Sequence, residues 1–165
     1  MNRRSLLGGA AALAASTLAG CSSKFRSYDG PPVTGIVVQK APRRMHLLSG
    51  PSVLRSFDIE LGGNPVGHKV MEGDGKTPEG AYLIDRRNPD SSYHLSNGIS
   101  YPNEEDIARA AALGVLPGGN IFIHGTPREK RRYPNWTAGC IAVTNEEIED
   151  IYVMVRDGTP IHIHA

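Results

Sequence analysis

Cys140 and His124 are the two side chains in this 165-residue chain best suited to act as a nucleophile and its base. A cysteine attacks only as its thiolate, whose unperturbed pKa is about 8.5, so a working nucleophile needs an imidazole close by to take its proton. Cys140 lies in "TAGCIAV", between Gly139 and Ile141, after the turn-rich segment 127–137 and just ahead of a short strand and a capped helix. His124 ends the apolar run "NIFIHG", and Gly125 behind it leaves room beside the ring. Sixteen residues separate the pair, enough for the arginine-rich "TPREKRRYPNW" to go out and return, bringing two strand ends side by side. On the residues alone a second account stands beside this one: His124 merely closes a strand, and Cys140 is a small core hydrophobe of the inert, buried kind.

The only other cysteine, Cys21, repeats the triplet "AGC" in "LAGCSS". It follows paired arginines in "MNRRSLL" and a small, weakly apolar run, "GGAAALAASTLA", which together read as an export signal over residues 1–20. The apolar stretch from Leu6 to Ala19 is shorter than the roughly 20 residues a membrane-spanning helix needs. Leu18-Ala19-Gly20-Cys21 resembles the lipobox of bacterial lipoproteins, which implies that Cys21 is acylated and anchors the chain to a membrane. An acylated Cys21 cannot pair with Cys140 and leaves it a lone thiol in an oxidising compartment. The alternative is an ordinary cleaved signal in which Cys21 is incidental. "NRRSLL" also matches part of a twin-arginine export signal. The expected location is the periplasm, with Ser22 compatible with the outer rather than the inner membrane.

The elements that must hold the Cys140 and His124 pair belong to one domain, for which this length and 39% apolar residues suffice. Nineteen glycines and twelve prolines favour short strands joined by many turns, so the expected class is mainly β with short helices, α+β. Dropping Arg3 and Arg4 with the signal leaves 16 basic against 17 acidic residues, which gives no reason to expect a nucleic-acid partner. Residues 21–34 contain two prolines and no periodicity and read as a flexible tether; the domain runs over 35–165. "GIVVQK", "MHLLSG" and "SVLRSFDIELG" predict an antiparallel meander, and "EGAYLIDRR", "NIFIHG" and "PIHIHA" predict further strands. Asn103 before Glu104, Glu105 and Asp106 caps a short helix that Gly114 ends. Thr144 with Glu147 forms a capping box for a second helix whose apolar face is Ile148, Ile151, Tyr152 and Val155.

Taken together, "IFIHGTP", "TAGCIAV" and "NEEIEDIYVMVRDGTPIHI" resemble the L,D-transpeptidase (YkuD-type) catalytic domain, whose signature is His-Gly, a loop, then Ser/Thr-x-Gly-Cys. "GHKVMEGDGKTPEGAYLI" and "RNPDSSYHLSNGISYPN" are also similar to that family, especially its smaller periplasmic murein branch, and the likeness spans residues 35–165. The resemblance implies a compact β-sandwich or barrel with the Cys-His site at strand ends. It implies Cys140 as nucleophile, His124 as base oriented mainly by backbone carbonyls, Thr137 as the hydroxyl before Gly-Cys, and Gly139 with the Cys140 amide as oxyanion donors. His68 and Gly125 fall in motifs near the site and are expected to bind substrate. Many members carry arginine two residues after the cysteine, where this chain has Ala142; Arg128, Arg131 or Arg132 is the expected substitute for binding a substrate carboxylate or carbonyl.

The implied reaction is acyl transfer on peptidoglycan stem peptides at the L-centre of meso-diaminopimelate, through a thioester on Cys140, with no cofactor and no metal. An amine acceptor makes it an L,D-transpeptidase; water makes it an L,D-carboxypeptidase or amidase, and "GCIAV" is similar to the branch with hydrolytic members that detach lipoprotein from peptidoglycan or trim stems. Expected partners are the stem peptides, a murein-bound lipoprotein and the membrane through Cys21, with the protein a monomer. Two alternatives remain. One is a zinc-dependent murein peptidase using His68, Asp74, His162 and His164. The other is a peptidoglycan-binding envelope lipoprotein without catalysis.

Overall fold

A computed structural model describes residues 23–165; the export signal and Cys21 lie outside the described residues. Eight strands and two helices follow in the order β1 (Gly35–Gln39), β2 (Arg44–Ser49), β3 (Ser52–Asp58), β4 (Gly80–Asn88), β5 (Ser96–Ile99), α1 (Glu104–Ala112), β6 (Phe122–His124), β7 (Ile141–Ala142), α2 (Asn145–Met154) and β8 (Pro160–His164). Period-two burial explains the strands: Ile36 and Val38, Met45 and Leu47, Tyr82 and Ile84, and Ile161 and Ile163 all point into one core, while their neighbours face outward. Every residue of β5 is buried, so its "SNGI" carries no alternation and could not be read as a strand from pattern.

The strands join in one sheet of order β3-β2-β1-β8-β4-β5-β6-β7. The expected meander is present in β1 to β3, but β8 inserts between β1, to which it is parallel, and β4. The sheet bends into a half-barrel and its two ends meet. Beyond β3, Glu60 exchanges two backbone hydrogen bonds of 2.8 Å with Ala142 of β7, and the Thr137 amide donates to the Leu61 carbonyl at 3.2 Å. That closure fixes the segment leading into Cys140 from both flanks.

Both helices are capped as predicted. Asn103 and Asp106 form a reciprocal box on α1, and Thr144 and Glu147 do so on α2. The buried face of α2 is Ile148, Ile151 and Met154, with Val155 just beyond its end. Tyr152, expected on that face, is only partly buried and lies under the Arg87 guanidinium at 3.9 Å.

Residues 24–34 correct the expectation of a flexible tether. Tyr28 and Val33 pack on the core, Phe25 lies against Tyr152, and Arg26 pairs with Glu149 at 2.7 Å and with Asp150 at 2.5 Å, both on α2. The composition is that of a linker, but α2 offers acidic partners to Arg26 and an aromatic one to Phe25, and the core receives Tyr28 and Val33.

Candidate active site

Parallel pairing of β6 with β7 sets Ile123 opposite Ile141 and His124 opposite Ala142. Side chains two apart on a strand share a face, so Cys140, one residue ahead of β7, comes out on the same face as His124. Both line a cavity of about 270 Å³ whose walls include Tyr93, Asn120 and Phe122.

His124 is 3% exposed and is held on three sides. Tyr93 stacks on its face with centroids 4.5 Å apart, Trp136 stands edge-on at 5.5 Å, and Nδ1 lies 2.7 Å from the Gly125 carbonyl. A carbonyl can only accept, so Nδ1 carries the proton and Nε2 is left with the lone pair a base requires. Burial holds the imidazole pKa below its ordinary 6.5, against the opposing effect of the Gly125 carbonyl, so the ring is neutral at pH 7. Gly125 does not line the cavity. A Cβ there would come within 2.8 Å of the Tyr93 carbonyl and strike Asn145, so the absence of a side chain is what lets the backbone approach that turns the ring.

Cys140 is partly buried and free. Its Sγ donates to the Asn120 carbonyl at 3.6 Å. Burial pushes the thiol pKa up, above 9.0, and a backbone hydrogen bond from Phe122 and the positive charges of Lys69 and Arg86 only partly offset it. A neutral thiol and a neutral imidazole therefore share the cavity at rest. The imidazole does not ionise the sulfur in advance; it can accept the proton as attack occurs.

Thr137 and Gly139 shape the turn that presents the sulfur. Thr137 Oγ1 donates to the Cys140 carbonyl at 2.8 Å and accepts from the Gly139 amide at 3.2 Å. That amide is therefore taken, which corrects its expected place as an oxyanion donor. Gly139 contributes shape instead: its φ is +130°, and a Cβ would meet the Lys76 carbonyl at 2.5 Å. The 69–76 loop behind it is drawn together by Asp74, whose carboxylate accepts from Lys69 Nζ and from the amides of Val70, Met71 and Lys76 at 2.8 to 3.1 Å. Desolvation alone would raise the Asp74 pKa, but these donors together bring it below its ordinary 3.8.

His68 lies elsewhere. Its Nδ1 accepts from the Glu79 amide at 3.0 Å and Nε2 stands 3.0 Å from Asp106, so it ties β4 to α1 and is absent from the Cys140 cavity. Of the loop arginines, Arg131 lines a second cavity of about 300 Å³ beyond Trp136, while exposed Arg128 and Arg132 line neither, Arg132 resting over Tyr133. Ala142 is buried in the strand pairing with Glu60. The zinc grouping does not assemble: His68 and Asp74 are occupied as described, His162 and His164 stack on the outer face of β8, and no cluster of three His, Cys, Asp or Glu suited to a metal occurs among the described residues. Tyr93, Trp136 and Asn120 were not singled out by sequence reading. Nothing in their spacing marks them, because each reaches the site through a loop.

Residues 34–163 match the L,D-transpeptidase catalytic domain (YkuD) family. Over 105 residues the chain is 32% identical to YafK of Escherichia coli K12, whose name assigns it to the L,D-transpeptidases, covering 62% of this chain and 37% of that protein. The helical cell shape determining protein Pgp2 of Campylobacter jejuni, in its K307A variant, superposes with TM-score 0.61 at 28% identity over 82% of this chain and 48% of that one. Bd1075 of Bdellovibrio bacteriovorus shares the fold with TM-score 0.58 at 24% identity, over 80% of this chain and 48% of its own. The chain thus spans about half the length of these solved proteins and less of the curated relative.

Proposed function

The chain belongs to the L,D-transpeptidase catalytic domain family, and on that premise we propose that it is a cysteine acyltransferase acting on peptidoglycan stem peptides. The observation that carries this reading is the shared cavity of Cys140 and His124, lined by a free thiol and by an imidazole whose protonated nitrogen is fixed by the Gly125 carbonyl. In the proposed reaction Sγ attacks the carbonyl on the L-centre of meso-diaminopimelate while Nε2 of His124 takes the thiol proton. The C–N bond of the tetrahedral adduct then breaks, the proton passes to the departing amine, and a thioester remains on Cys140. The Cys140 amide is the proposed oxyanion donor. A stem-peptide amine entering next yields a cross-link, and water yields a trimmed stem or a released lipoprotein. Arg131, beside the second cavity, is the proposed partner for a substrate carboxylate in place of the arginine that Ala142 replaces.

Exposure of the purified protein to a carbapenem should add that compound's mass to wild type and not to Cys140→Ala, and muropeptide digests should change only with wild type. Folded wild type that takes up no mass and leaves muropeptides unchanged refutes the assignment and favours an envelope protein that binds peptidoglycan without catalysis. We also propose acylation of Cys21, with the domain held in the periplasm at a membrane, the outer one by the character of Ser22. Three residues span at most about 11 Å, and Lys24 touches the loop beside the cavity, so such an anchor keeps the site close to the bilayer surface.

A further inference from the structure

The side chains that hold residues 24–28 converge on the loop that carries Tyr93. Lys24 Nζ donates to the carbonyls of Pro89 at 2.6 Å and His94 at 3.3 Å, on either side of Tyr93. Arg26 Nε donates to one oxygen of Glu149 at 2.8 Å, and the other oxygen lies 2.7 Å from His94 Nε2. Glu149 on α2 thus grips the N-terminal segment and the loop with one carboxylate. The loop requires such a grip, because His94 has φ of +75°, a left-handed conformation that a residue with a Cβ keeps only when its surroundings impose it.

What the loop holds is the base. The Gly125 amide donates to the Tyr93 carbonyl at 3.0 Å, and the Tyr93 ring covers one face of His124. Tyr93 is 41% exposed, so solvent has no barrier to the imidazole on that side other than this ring. On the remaining sides His124 meets Trp136, the Gly125 carbonyl and the cavity it shares with Cys140.

Resting on the assignment of His124 as the base, we propose that residues 24–28 are a strap that positions the imidazole through the 89–95 loop, with Lys24, Arg26, His94 and Glu149 as positioning residues. The strap makes the N-terminal segment part of the working site rather than a spacer ahead of it. Losing it frees His94 to leave its left-handed conformation, tips Tyr93 off the ring, and lets both the position and the hydration of His124 change.

The test compares the full chain with its Lys24→Ala/Arg26→Ala variant by three readings: the thermal midpoint, the NMR titration of the His124 ring, and the rate of Cys140 acylation by a carbapenem. The variant should shift the ring's titration upward toward 6.5 and slow acylation about tenfold, within the range a displacement of about 1 Å produces. Arg26→Lys, which keeps the pair with Glu149, should retain the wild-type titration. A variant that loses thermal stability yet keeps the wild-type titration and acylation rate would make the segment a structural cover only and overturn the proposal. Should the double variant not fold, Glu149→Gln, which removes the charge that Arg26 and His94 share while Asp150 still holds Arg26, is read in the same way. Should wild type itself resist acylation, the proposed acyltransferase activity fails, while the ring's titration still decides whether the strap positions it.

Discussion

A neutral resting pair makes a specific prediction for the reactivity of Cys140 with iodoacetamide. The thiol is pushed above 9.0 by burial, and His124 is held below 6.5. At pH 7 a thiol with a midpoint above 9 is less than about 1% thiolate, and that fraction rises about tenfold for each pH unit until the midpoint is reached. Alkylation should therefore climb about a thousandfold between pH 6 and pH 9 with no shoulder on the acid side. His124→Gln should leave that profile nearly unchanged, because the imidazole does not set the thiol's ionisation. The same substitution should slow acylation by a carbapenem by about 10²- to 10⁴-fold, because there the base takes the proton during attack. The acylation rate of wild type should fall as pH drops through the lowered His124 midpoint, below 6.5, where the ring becomes protonated and can no longer accept. Mass spectrometry of timed, acid-quenched samples measures both reactions. A flat alkylation rate from pH 5 to 8 that becomes steep in His124→Gln would reveal a preformed thiolate and imidazolium and refute the reasoning.

Thr137→Ala removes the acceptor of the interior Gly139 amide and a donor to the Cys140 carbonyl, and should cost about 1–3 kcal/mol in urea unfolding, while Thr137→Ser, which keeps the hydroxyl, should cost under about 1 kcal/mol; equal losses would mean that the methyl group matters more than the hydrogen bonds. Asp74→Asn strands Lys69, which is 3% exposed, and should destabilise by about 3–5 kcal/mol at neutral pH. Since the folded pKa of Asp74 lies below 3.8, its contribution is fully present above that value and is lost as pH falls from there through the folded midpoint, so wild type and variant should approach one another in stability as pH drops below 3.8 and meet beneath the folded midpoint; a difference that does not shrink as pH falls would assign the effect to packing.

Local signals were the legible part. The two capping boxes rest on contacts three residues apart, and strands β1, β2, β4 and β8 follow from alternation that one face of a sheet imposes on its own sequence. The candidate pair could be named from residue type, but the residues alone also allowed an inert core cysteine, and it was the resemblance of several separated motifs that singled out Cys140 and His124. The illegible parts all depend on distant partners. β5 is buried on both faces and so lacks a period, and β8 joins β1 across the whole length of the domain. His68 stands in a family motif, yet its nitrogens face Glu79 and Asp106 instead of substrate, which only the packing of α1 against β4 decides.

By itself the sequence determined that a thiol at 140 and an imidazole at 124 stand near the ends of short strands joined by a returning loop. These are properties of residue type and near-neighbour pattern. Tertiary structure alone decided that burial pushes the thiol pKa up, that the Gly139 amide is taken by Thr137, and that Phe25 and Arg26 lie against α2. The physical reason is that desolvation, hydrogen-bond allocation and docking are set by atoms brought from remote parts of the chain, and no local pattern records which of them arrive.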